Sequence, residues 1–137
     1  MKVKGLDGKE YKLSLMGYRV KNDEDRPRSQ YHKRARLLLK QIFGLDPILE
    51  EVHLPGSYGL YADFYLPRRD MIVEVHGEQH YSFSKQFHKD PAGFRESKKR
   101  DQNKIAWCEL NGLHYVELPY SEDNHEWNQR IVGGLGE

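Results

Sequence analysis

Apolar positions in this chain follow two periods. Leu60-Tyr-Ala-Asp-Phe-Tyr-Leu66 and Met71-Ile-Val-Glu-Val-His76 are short runs of strand type, joined by Pro67-Arg-Arg-Asp70. Tyr31, Ala35, Leu38, Leu39 and Ile42 instead recur at helical spacing after Ser29, a good N-cap, and Gly44 ends the pattern. Ile48 to Leu54 reads as a further strand, closed by Pro55-Gly56-Ser57. Lys2 to Leu6 and Glu10 to Leu15 flank Asp7-Gly8-Lys9 and read as a hairpin. Asp90-Pro91 has the form of an N-cap with proline at the first helical position, launching a helix from about Ala92 to Leu110 that Asn111-Gly112 terminates. Leu113 to Leu118 is a last strand, parallel to a neighbour because it follows a helical crossover, and His125 to Ile131 a short final helix. The pattern predicts one α/β domain: a mixed central sheet flanked by helices over residues 21–137, with residues 1–20 as a small N-terminal hairpin appendage. A charged stretch from Lys21 to Arg28 separates the two.

Folding the two short runs as a hairpin with Leu66 opposite Met71 sets the register. Asp63 then faces Glu74 and Tyr61 faces His76. Strand alternation sends Asp63, Glu74 and His76 to one face, and Ala62, Phe64, Leu66, Met71, Val73 and Val75 to the other, core face. Facing β-carbons lie roughly 5 Å apart, and two carboxylates at that range repel unless one is protonated or a cation lies between them. Oxygen donors without cysteine favour Mg²⁺ or Mn²⁺ over zinc. The plain alternative is a solvated acid pair neutralised by Arg68 or Arg69. Beyond the strand, Gly77-Glu-Gln-His80-Tyr81 places a second imidazole where irregular backbone can aim it at a ligand.

These residues, with the downstream stretch "FRESKKRDQNKIAWCELNGLHYVELPY", make residues 29 to 120 resemble the PD-(D/E)XK nuclease superfamily, in its branch similar to very-short-patch-repair, phage and homing endonucleases. The resemblance implies a restriction-endonuclease-like fold and Mg²⁺ (or Mn²⁺) held by Asp63, Glu74 and the backbone carbonyl of Val75. It also implies catalytic work by His76, which stands where the motif has lysine, and by His80. Relatives often carry a glutamate on the preceding helix in a Ser-x-x-Glu pattern; here Ser29-Gln-Tyr-His32 puts His32 in that place, while Glu50 and Glu51 fall in the next apolar segment.

Charge adds a partner. The 137 residues carry 22 Lys and Arg against 21 Asp and Glu, a net charge of +1, yet the charges are unevenly placed. Arg26, Arg28, Lys33, Arg34, Arg36 and Lys40 occur without an intervening acid, and Lys33, Arg36 and Lys40 are spaced to form a stripe opposite the apolar one. Arg95, Lys98, Lys99, Arg100 and Lys104 form a second basic cluster, while acids gather at Glu117, Glu122, Asp123 and Glu126. Lys33, Arg36, Lys40, Arg100 and Lys104 are the expected DNA contacts. Tyr81 or Phe83 are candidate stacking residues. The lone Cys108 forbids an intramolecular disulfide and suits a reducing cytoplasm, the host's if the chain is phage-encoded. No apolar run approaches a membrane span.

The function expected is therefore a Mg²⁺-dependent DNA endonuclease that nicks one strand per site, cutting both only as a homodimer or in two encounters. The alternative is an inactive DNA-binding or inhibitory module on the same fold. A histidine-metal nuclease built on His114, Asn124 and His125 lacks the ββα pattern it needs, and no Walker-type loop or Ser/His/Asp motif is present.

Overall fold

A computed structural model describes residues 1–18, 21, 29–78 and 91–135. Six strands and three helices alternate along it: β1 (Lys2–Lys4), β2 (Glu10–Lys12), α1 (Gln30–Ile42), β3 (Leu49–His53), β4 (Tyr61–Leu66), β5 (Met71–His76), α2 (Pro91–Leu110), β6 (His114–Pro119) and α3 (Asn124–Gly133). A four-stranded sheet of order β3-β4-β5-β6 forms the centre. Its first three strands are antiparallel and β6 runs parallel to β5, as the α2 crossover requires. The expected α/β class, mixed sheet and N-terminal antiparallel hairpin are all present.

Local chemistry explains the boundaries. The Ser29 hydroxyl accepts the His32 backbone N–H at 3.1 Å and starts α1, and Phe43 before Gly44 caps its end. Asp123 caps α3 in the same way through the Glu126 N–H. Between β4 and β5 the chain makes a single 3₁₀ turn over Pro67–Arg69, and Asp70 enters the left-handed region at φ 50° to reverse direction. Aspartate tolerates that conformation better than most side chains.

Each face of the sheet has its own core. On one, α1 and α3 bring Ala35, Leu38, Leu39, Trp127 and Ile131 onto Phe64, Leu66, Met71, Val73, Val116 and Leu118. On the other, Trp107 and Cys108 of α2 pack with Leu49, Val52, Ala62, Tyr65 and Ile72. Burying each large apolar side chain contributes about 1.5–3 kcal/mol, so both layers matter. Val3 and Leu13 of the N-terminal segment also lie in this second core, 2% and 4% exposed. The hairpin expected as an appendage is thus packed into the body of the protein. Gly5 and Gly56 meet there so closely that a β-carbon built on Gly56 would lie 2.5 Å from the Gly5 α-carbon.

Strand alternation fails at one place, and Ala62 shows it. Expected on the face of Phe64 and Leu66, Ala62 instead packs in the α2-side core. The cause lies across the β3–β4 ladder, where Glu51 takes a left-handed φ of 54° and turns β3 over, so that Leu49 and Val52 both point to the second core. Their partners Tyr65 and Ala62 follow. Asp63 sits at the step between the two facings.

Among the described residues no helix is long and apolar enough to cross a membrane.

Candidate active site

The β4–β5 register is the expected one. Leu66 pairs with Met71, Tyr65 with Ile72 and Phe64 with Val73. One step further, at Asp63 and Glu74, side chains take over from the backbone ladder: the Asp63 N–H donates to Glu74 Oε2 at 2.6 Å, and the Val75 N–H donates to Asp63 Oδ2 at 2.9 Å. Beyond the Phe64–Val73 pair these two carboxylate bonds connect the strands in place of the ladder. Both acids are consequently held in the middle of the sheet, Asp63 7% and Glu74 2% exposed. This disposes of a solvated edge pair. Arg69 is engaged elsewhere, 2.7 Å from Asp46 and over the Phe43 ring. The β4–β5 ladder ends at Phe64 and Val73, so Tyr61 is not paired with His76 as the extrapolated register expected; on the β3 side it pairs with His53, its ring 5.2 Å from the His53 ring.

Lys104, one of the expected DNA contacts, supplies the cation. Its Nζ, brought over the sheet by α2, hydrogen-bonds Glu74 Oε1. Burial pushes the Glu74 carboxyl up to about 8, repulsion from Asp63 adds to it, and Lys104 opposes both. An ionised acid pair here is short of positive charge.

His76 lies on the same face of β5 as Glu74 and is 3% exposed. Its Nδ1 is 3.0 Å from Glu117 Oε1 and its Nε2 is 3.2 Å from the Tyr115 hydroxyl. Glu117, by sequence one of the acids gathered toward the tail, is its neighbour. The parallel β5–β6 register places it directly beside Glu74, with Ile72 beside Tyr115 and His76 beside Pro119. Burial raises the Tyr115 hydroxyl well above its ordinary range, and the nearby Glu74 adds to it, so this group stays protonated as a donor. Alternation along β6, with Val116 and Leu118 in the opposite core, could have put Tyr115 and Glu117 on one face; nothing in the sequence sets their register against β5.

His32 lies apart from this group. It is 3% exposed on the α1 side of the sheet, stacked on Phe64 at 4.5 Å, with Nε2 2.6 Å from Glu50 Oε1. Arg36 completes the cluster: its Nε and Nη2 reach the two Glu50 oxygens at 2.8 and 2.9 Å. Arg36, expected on a basic surface stripe, is therefore withdrawn from the surface, 1% exposed. The reason is Glu50, which β3 turns toward α1 in a region otherwise apolar, where a buried carboxylate needs a cation. Burial tends to raise the Glu50 carboxyl, but the His32 and Arg36 bonds outweigh it and hold the group below its ordinary value.

Of the other expected DNA contacts, Lys33 is exposed and Lys40 half-buried on α1, while exposed Arg100 lies one turn before Lys104 on α2 and reaches the Ser97 hydroxyl at 3.1 Å. His80, Tyr81, Phe83 and the Asp90 cap fall within 79–90, outside the described residues. Among those described, no group of three or more His, Cys, Asp and Glu side chains has an arrangement that could hold a metal ion.

Similarity to known proteins is partial. The chain is 38% identical over 66 residues to uncharacterized protein 307L of Invertebrate iridescent virus 6, a match covering 48% of this chain and 34% of that protein. It is 34% identical over 62 residues to uncharacterized protein 033L of Invertebrate iridescent virus 3, covering 45% and 32% respectively. No family model matches the chain and no solved structure matches it. By sequence, then, this chain is similar over just under half its length to two iridescent-virus proteins, and the match spans about a third of each.

Proposed function

We propose that this chain is a metal-dependent DNA endonuclease of PD-(D/E)XK type, with a restriction-endonuclease-like core. The observation that carries the reading is the pair of buried acids, Asp63 and Glu74, which replace the ladder bonds between two central strands, with Lys104 bound to Glu74 and His76 two residues along the same face of β5. A ladder interrupted by two buried acids has no obvious use in a sheet that serves only as scaffold. Burying two like charges side by side costs several kcal/mol before compensation.

The donor set fits a hard divalent cation. Asp63 and Glu74 offer carboxylate oxygens, no thiolate competes, and the raised Glu74 carboxyl marks a place where added positive charge is favourable. Mg²⁺ or Mn²⁺ would be held by Asp63, Glu74 and the Val75 carbonyl, and would supply Lewis-acid charge at the scissile phosphate. The remaining work belongs to the chain. Lys104 can leave Glu74 for a phosphate oxygen, exchanging one anionic partner for another as negative charge builds up during hydrolysis. His76 holds or moves a proton through its ring nitrogens, and the same role is proposed for His80. His32 supports β4 from behind, through Phe64, and does not reach the reacting atoms. Lys33, Lys40 and Arg100 contact the DNA backbone. One site nicks one strand, so a double-strand cut takes a second copy or a second encounter.

A second reading has its own support. The Lys104 ammonium and the Val75 N–H already give both acids partners without a metal, which suits an inactive module that grips DNA. Supercoiled plasmid separates the two. The nuclease reading expects conversion to nicked circles in Mg²⁺ or Mn²⁺, abolished by chelator and reduced at least about 10³-fold in Asp63→Asn, with the variant's fold checked by circular dichroism. Plasmid bound but uncut in either metal, or cut equally well by Asp63→Asn, overturns it.

A further inference from the structure

Glu117 stands out as a partly exposed carboxylate committed to a buried imidazole. Its side chain is 33% exposed, against 3% for that of His76, so water can reach the acid but hardly the ring. Both ring nitrogens of His76 have protein partners of different character. Nδ1 faces a carboxylate, which when ionised can only accept, and Nε2 faces a hydroxyl, which can donate. A neutral imidazole has one N–H and one lone pair, and one assignment satisfies both neighbours: the proton on Nδ1, donated to Glu117, and the lone pair on Nε2, accepting from Tyr115.

We infer that Glu117 is a positioning residue that fixes His76 in the Nδ1–H tautomer and leaves Nε2 as the basic nitrogen. The inference rests on the nuclease reading for its consequence, but the tautomer stands on the geometry alone. The parallel β5–β6 ladder makes the arrangement rigid, because Glu117 and His76 project from the same face of adjacent, hydrogen-bonded strands. The other tautomer, protonated on Nε2, would set the Nδ1 lone pair against a carboxylate, a repulsive contact in a buried place. For hydrolysis the effect is one of orientation: Glu117 and Tyr115 together fix which way the ring faces and which nitrogen presents its lone pair.

The test is the long-range ¹H–¹⁵N correlation spectrum of the neutral His76 ring in the full-length protein, which distinguishes a protonated Nδ1 from a protonated Nε2. Wild type is expected to show Nδ1–H. Tyr115→Phe keeps it, because Glu117 remains, while Glu117→Ala loses it in favour of Nε2–H or a mixture. In plasmid nicking, Glu117→Ala is expected to lower kcat about 10- to 100-fold with KM near that of wild type. An Nε2–H ring in wild type, or a tautomer that survives Glu117→Ala, overturns the inference; if that variant does not fold, the wild-type spectrum decides alone. A changed tautomer with unchanged kcat overturns the positioning role in catalysis. Absence of nicking by wild type overturns the nuclease reading instead, and the spectra then still decide whether Glu117 sets the ring.

Discussion

Replacing Glu74 by glutamine should make the metal-free protein more stable above neutral pH and remove a pH dependence that the wild type carries. In the folded chain this carboxyl keeps its proton up to about 8, because burial and Asp63 disfavour the charged form, whereas in the unfolded chain it ionises near 4.5. Between those values the folded state holds one proton more, so wild-type stability falls as pH rises. The slope contributed is about 1.4 kcal/mol per pH unit, and over the interval from 4.5 to about 8 the ceiling is about 5 kcal/mol. Relaxation and water penetration around the ionised carboxylate lower that ceiling, and the expected difference is about 2–3 kcal/mol. Urea unfolding of wild type and Glu74→Gln at pH 5, 7 and 9, in chelator, measures it. The two proteins should be of similar stability at pH 5 and the variant the more stable at pH 9. A divalent cation bound to the ionised pair should recover the loss in wild type alone, by about 2.7 kcal/mol at a hundred times its dissociation constant. Parallel pH profiles in the two proteins would refute the account of Glu74 as a strained, partly compensated acid.

The cluster behind β4 has the opposite sign. Glu50 is held below its ordinary value, so the stability it contributes is fully present above about 4.5 and is lost as pH falls through the folded value; acid titration of the urea midpoint should show this in wild type and not in Glu50→Gln. Glu50→Ala, which leaves the Arg36 guanidinium buried without its carboxylate, should cost about 3–5 kcal/mol, and a loss under 1 kcal/mol by the same unfolding assay would show that Arg36 finds another partner. On the outer side of α1, Lys33→Ala and Lys40→Ala should each weaken DNA binding for all sequences alike and lower the slope of log affinity against log salt by about 0.9, read by fluorescence anisotropy; Arg36→Ala should instead lower folding stability. Equal salt slopes in all three variants would remove α1 from the DNA interface.

Much of the architecture is local chemistry, legible in the residues themselves. Serine and aspartate caps, Gly44 and Asn111-Gly112 as stops, and the period-2 runs of β4 and β5 each specify an element through its own backbone hydrogen bonds and its own apolar face. The short turn between β4 and β5 likewise fixed their register, and with it the meeting of Asp63 and Glu74. The rest involves partners far apart in sequence or a break in regular geometry. The left-handed Glu51 moved Ala62 to the other core, Glu50 drew Arg36 and His32 inward, and the parallel pairing of β5 with β6 set Glu117 against His76. A long crossover through α2 leaves the register of β6 to be chosen by packing on both faces of the sheet, and a buried carboxylate recruits whichever cation the fold brings within reach. Neither choice has a local signature, because its free energy arises between elements.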